Sequence, residues 1–296
     1  MFADILYEKI EKTGNPTVLG LDPRIEYVPD SIRESTNNDT SAVLRFNLRL
    51  IDALCDIIPA VKFQSAYYEL LGPAGAITLQ QSMAYAKSVG MAVILDAKRN
   101  DIGSTAKAYA EAYLGDTHYD ADALTVNGYL GTDGIKPFSD ICKAKGKGIF
   151  ILVKTSNPSS GELQDMKLED GMKVYEKMAE LVNGWGKEII GKHGYSSVGA
   201  VVGATYPKEL GKLRKMMPKA MLLVPGYGAQ GGGANDVKGG FDSTGNGAIV
   251  NSSRGLMCAW KSGRFPGKYT HEDFCEAARD EALIMKNALN TAINKS

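Results

Sequence analysis

Eight short, apolar, largely β-branched runs recur along the chain, and this recurrence constrains the fold more than any other feature. They occupy residues 17–22 (TVLGLD), 60–64 (AVKFQ), 92–98 (AVILDAK), 123–127 (ALTVN), 148–154 (GIFILVK), 198–202 (VGAVV), 220–224 (AMLLV) and 248–251 (AIVN). Each is strand length and almost continuously apolar, as strands of a parallel sheet covered on both faces must be. Helical periodicity fills the gaps. Residues 41–58 carry Val43, Leu44, Leu48, Ile51 and Leu54, and residues 172–190 carry Val174, Met178, Leu181 and Trp185. A last helix is expected over 271–292. Strand and helix alternate without a composition break. A length of 296 residues allows one or two domains. The alternation predicts the α/β class, with one (β/α)8 TIM barrel over residues 1–296 and extra N-terminal and C-terminal helices.

Charge and composition exclude several roles. Lys plus Arg and Asp plus Glu are both 34, so no basic footprint for nucleic acid or a membrane surface is expected. No apolar run approaches the ~18 residues of a membrane helix. The opening MFADILYEKIEK lacks the basic and apolar segments of a signal peptide. Cys55, Cys142, Cys258 and Cys275 are scattered, and with His118, His193 and His271 they form no zinc signature. A cytoplasmic protein without a structural metal is expected. The histidines, Trp185, Trp260 and the cysteines read as surface or packing residues. The stretches 143–147 and 208–215 read as solvated basic faces. Two connections are long: 26–40 reads as plain surface, and 156–171, after the fifth strand, as either a lid or a passive insertion.

A barrel builds its chemistry at the C-terminal ends of its strands. Asp22, Lys62, Asp96, Lys98, Thr155, Ser156, Ser253 and Arg254 fall there. Asp96 and Lys98 are two apart on one strand and share a face, whereas Asp101 lies beyond the strand end. Two lysines and two aspartates can alternate in one small space. By spacing alone this is either a catalytic array or a paired ion network, since buried charge is costly unless balanced. Residues 225–233 (PGYGAQGGG) follow the seventh run and Arg254 follows the eighth, at the habitual phosphate site of barrels.

Taken together, LGLDPR at 19–24, LDAKRNDIGST at 95–105, PGYGAQGG at 225–232 and SSRG at 252–255 resemble the orotidine 5′-monophosphate decarboxylase family, in its long-form bacterial and protozoan branch. The resemblance runs from the first strand to the eighth. One departure is visible: the chain reads Asn127-Gly128-Tyr129-Leu130-Gly131 where that branch has N-P-Y-L-G. The resemblance implies cofactor-free decarboxylation of orotidine 5′-monophosphate to UMP. Lys62, Asp96, Lys98 and Asp101 would form the charged tetrad. Lys98 would protonate C6, with Asp96 against the departing carboxylate. Asp22 would hold ribose hydroxyls, together with Lys62 and the partner's Asp101. Ser156 would meet the pyrimidine edge. Gln230 and Arg254, with Tyr227 beside them, would hold the phosphate. Asp101 and Thr105 would reach into the other subunit of a homodimer.

The alternatives are a Mg²⁺-dependent sugar-phosphate decarboxylase or synthase sharing D-x-K-x-x-D, a Schiff-base aldolase using Lys62 or Lys98, and a non-catalytic nucleotide-binding barrel.

Overall fold

A computed structural model of the chain describes residues 1–228 and 232–294. The strands are β1 (Thr17–Leu21), β2 (Ala60–Gln64), β3 (Ala92–Arg99), β4 (Ala123–Val126), β5 (Gly148–Lys154), β6 (Ser196–Val202), β7 (Ala220–Val224) and β8 (Ala248–Ser252). All pair in parallel and in chain order, and β8 returns to β1 to close the barrel. Each strand lies on one of the eight runs, with ends shifted by two residues at most. The long helices are α1 (Phe2–Thr13), α2 (Asp39–Leu54), α3 (Gly72–Ser88), α4 (Gly103–Leu114), α5 (Gly131–Lys145), α6 (Val174–Gly186), α7 (Pro207–Met216) and α8 (Phe274–Asn294). Between β7 and β8 the helix shrinks to one turn, Ala234–Val237. Among the described residues no helix is long and apolar enough to cross a membrane.

Local chemistry starts and stops these elements. The Asn38 side chain accepts the Ser41 N–H and caps α2, and Gly14 and Gly146 end α1 and α5 in the left-handed conformation. In α2 the buried stripe is Ala42, Val43, Phe46, Asn47, Leu50, Ile51 and Leu54. Leu44 and Leu48, expected on that face, are only half-buried at its edge.

Two apolar layers result. One packs the outer faces of the strands against the helices. The other fills the barrel, where small residues on β2, β3 and β4 (Ala60, Ala92 and Ala123) leave room at the bottom. That space is taken by α1, whose Phe2 meets Phe150 edge to face with ring centroids 6.0 Å apart. Gly148 permits the approach, since a Cβ there would lie 2.2 Å from the Phe2 ring. The N-terminal helix is therefore the floor of the barrel.

The stretch 208–215 is not wholly a solvated face. Arg214 is buried and donates to the carbonyls of Gly247, at 2.8 Å, and Ala220, at 2.8 Å, fastening α7 beneath β7 and β8. Lys147 also departs from expectation, its ammonium 2.6 Å from Asp120 and its side chain largely enclosed. A guanidinium among backbone carbonyls satisfies acceptors that strand ends leave open, a role that composition does not reveal.

Candidate active site

The C-terminal ends of the strands surround a cavity of about 660 Å³, large enough for a nucleotide. Asp22, Lys62, Asp96, Lys98, Ser156, Tyr227 and Arg254 all line it. Its floor is apolar where Leu152, Val201 and Leu223 rise from β5, β6 and β7. Charge is gathered on the β1–β3 side and at Arg254 after β8.

The β1–β3 side forms a row of alternating charge. Lys62 Nζ lies 3.5 Å from Asp22 Oδ1 and 3.0 Å from Asp96 Oδ2, and Lys98 Nζ lies 2.6 Å from Asp96 Oδ1. Burial by itself would push the Lys62 ammonium down. The attraction of Asp96 and Asp22 outweighs it and holds the pKa above the ordinary lysine value. Burial likewise favours neutral Asp96, but Lys62 and Lys98 overcome this and keep its pKa well below the usual carboxylate range. Both groups are thus charged throughout the neutral range. The side chain of Lys62 is only 4% exposed, against 44% for Lys98. Lys98 is therefore the more open of the two ammoniums, while Lys62, which also lines the cavity, braces the row.

Two further residues hold Asp96, and neither stands out in the sequence. Thr125 Oγ1 donates to Asp96 Oδ1 at 2.8 Å while accepting the Lys98 N–H at 3.0 Å. Gln64 Nε2 donates to Asp96 Oδ2 at 3.1 Å. Gln64 follows Lys62 by two on β2, so strand parity could have placed it on the same face. Thr125 is on another strand, and only the register brings it in. The backbone of Lys98 has φ 48°, in the left-handed region that a lysine rarely occupies. Such strain costs roughly 1–3 kcal/mol and persists only where surrounding bonds enforce it.

The opposite rim is built by the ends of β7 and β8. Gly226, with φ 101°, lets the chain turn sharply after Pro225 and brings Tyr227 to the cavity. Gly20 in β1 leaves space for Ser253, whose Oγ would otherwise lie 1.9 Å from a Cβ, and Arg254 follows directly. Asn251 Nδ2 donates to Ser253 Oγ at 3.1 Å. Its buried Oδ1 has no donor among the described residues, so it remains an acceptor at the cavity wall. Gln230, expected in this loop, lies outside the described residues.

The sequence-derived tetrad is not gathered in one chain. Asp101 sits outside the cavity, its Oδ1 accepting the Ile102 N–H at 2.8 Å, and Thr105 is exposed in the first turn of α4. Within the chain Asp22 takes the fourth place in the row. Among the described residues no group of three or more His, Cys, Asp or Glu side chains is placed to hold a metal ion.

The connection after β5 is tied down. Lys154 and Lys173 both pair with Asp165, at 2.9 and 3.2 Å, and Gln164 bonds Thr155 through both its amide atoms.

Comparison with known proteins agrees with this geometry. A curated orotidine 5′-phosphate decarboxylase from Rhodopirellula baltica is 46% identical over 298 residues, covering 97% of this chain and 98% of that protein. One from Clostridium perfringens is 40% identical over 295 residues, covering all of both. The solved structure of Leishmania donovani OMP decarboxylase superposes with a TM-score of 0.72 at 30% identity, covering 95% of this chain and 98% of that one. The family model for orotidine 5′-phosphate decarboxylase / HUMPS matches residues 17–261, from the first strand past the last, and the chain belongs to that family.

Proposed function

We propose that this chain decarboxylates orotidine 5′-monophosphate to UMP and CO2 using fixed charge alone. The observation that carries the reading is the row Asp22–Lys62–Asp96–Lys98, which faces Arg254 across a nucleotide-sized cavity. A phosphate held by Arg254, the 225–228 backbone and Gln230 sets the base over the row. Asp22 and Lys62 take ribose hydroxyls, and Ser156 takes the pyrimidine edge.

The substrate carboxylate then lies against Asp96. Its C–C bond to C6 breaks, CO2 leaves, and the electron pair stays on C6 beside the Lys98 ammonium. At 4 Å and an effective dielectric of 20, an opposite charge contributes about 4 kcal/mol. That attraction grows as the charge moves from the carboxylate to C6, so it favours the transition state over the ground state. Lys98 transfers a proton to C6, giving UMP, and regains one from solvent. Asp96 and Asp22 disfavour a Schiff base on Lys62, because they hold that amine protonated.

Pure protein in excess EDTA should consume the orotate chromophore of orotidine 5′-monophosphate and release UMP. Turnover that required added Mg²⁺, or acted only on sugar phosphates, would instead establish the sugar-phosphate reading. Binding without turnover would leave a nucleotide-binding barrel.

The protein acts as one barrel domain over residues 1–296, in the cytoplasm, as a homodimer in which Asp101 and Thr105 complete the partner's site. Neither lines its own cavity, and the large apolar side chains of Ile102, next to Asp101, and Leu130, which with Asp101 flanks Gly134, are exposed. Exposed apolar side chains at such a place are what a subunit contact covers. Mixing equal amounts of Lys98→Ala and Asp101→Ala subunits should restore about a quarter of wild-type activity, since half the dimers then carry one intact site. No recovery after subunit exchange would exclude the shared site.

A further inference from the structure

Lys154, the last residue of β5, is 1% exposed and has no part in the chemistry just described. Burying an ammonium is costly unless it is paired, and Lys154 is paired. Nζ lies 2.9 Å from Asp165 Oδ2 and 3.3 Å from Ser160 Oγ, and 4.7 Å above the centre of the Tyr206 ring. Ser160 and Asp165 belong to the connection between β5 and α6, and Tyr206 to that between β6 and α7. One ammonium therefore fastens two connections to the end of a strand.

Strand parity alone would aim Lys154 into the cavity, as it does Leu152. The register explains why it points elsewhere. Leu152 pairs with Val201 and Lys154 with Val202, so β5 carries one extra residue, which turns the side chain away. The next three residues, Thr155, Ser156 and Asn157, line the cavity. Gln164 Oε1 accepts the Thr155 N–H at 3.0 Å, and Gln164 Nε2 donates to Thr155 Oγ1 at 2.7 Å. Ser156 lies against Gly203, where a Cβ would come within 2.8 Å of the serine Cβ. The cavity-lining segment is thus hung between Lys154 on one side and the connection that Lys154 fastens on the other.

We propose that Lys154, clamped by Asp165, is a positioning residue that fixes segment 155–157 against the nucleotide base and so sets affinity for base-bearing ligands without touching them. The proposal rests on the nucleotide reading of the cavity. The clamp acts on the base end of the ligand, while Arg254 and the β7 and β8 ends act on the phosphate end. A ligand without a base should not sense it.

Calorimetric titration of wild type, Lys154→Met and Asp165→Asn with UMP and with ribose 5-phosphate tests this. UMP affinity should fall about tenfold in Asp165→Asn and about a hundredfold in Lys154→Met, with ribose 5-phosphate affinity unchanged in both. Equal weakening of both ligands would show a merely structural role and overturn the proposal, as would unchanged UMP affinity in Asp165→Asn. Should Lys154→Met not fold, Asp165→Asn still decides, because that side chain is 36% exposed and asparagine keeps an oxygen that can accept from Lys154. Wild type that bound ribose 5-phosphate but not UMP would overturn the nucleotide reading itself, and the proposal with it.

Discussion

Replacing Lys98 with alanine should leave UMP binding within a few-fold of wild type while lowering turnover by about five orders of magnitude. The separation of the two effects follows from where the charges sit. Asp96 keeps Lys62, Thr125 and Gln64 as partners when Lys98 is gone, so no buried carboxylate is stranded. The half-exposed Lys98 stem contributes little packing, and alanine meets the same left-handed backbone strain as lysine. What disappears is the charge that C6 develops against and the proton it receives. Neither matters to a bound product. Single-turnover absorbance and UMP titration measure the two quantities independently. Turnover near the wild-type rate would remove Lys98 from the mechanism.

Arg254→Ala should lower kcat/KM about a thousandfold, through an interaction far from the bond that breaks. A guanidinium grips a phosphate in a bidentate way, and on the proposed reading that remote binding energy favours closure of the β7 and β8 ends over the base. The test is to divide the substrate in two. Wild type should process a phosphate-free orotidine slowly and accelerate when inorganic phosphite is added. The Arg254→Ala variant should respond weakly or not at all. If phosphite leaves the wild-type rate unchanged, the phosphate serves only as a handle and does not drive closure.

The barrel was legible because fully buried parallel strands leave an uninterrupted apolar signature, and each of the eight runs became a strand. The site was legible for a second reason: barrel chemistry collects at strand ends, so Asp22, Lys62, Asp96, Lys98 and Arg254 are found by their position in the runs. Their companions were not. Thr125 reaches Asp96 only through the register of β3 and β4, which is irregular between Leu95 and Arg99. Strand parity would have aimed Lys154 into the cavity, and the extra residue in β5 that turns it to Asp165 instead shows only in the register. Arg214 looked like part of a wet lysine-rich helix, and its burial among carbonyls depends on where β7 and β8 end. Asp101 and Thr105 carry the opposite lesson. Their motif was plain in the sequence, yet one chain does not bring them to its own cavity.

The floor of the barrel also fixes the order of events during synthesis. Helix α1 is made well before its partners, for Phe2 packs on Phe150, nearly half the chain away. The Ala3 N–H donates to Ser197 Oγ, and Asp4 accepts the His193 N–H, two-thirds of the way along. None of these contacts exists until β5 and β6 have been made. The residues of α1 therefore wait, as an amphipathic helix with its apolar face in water, for partners that arrive late. Long-range closure of this kind slows folding and leaves greasy surface uncovered in the interval. The helix that seals the finished enzyme is also the part of the nascent chain most in need of shelter.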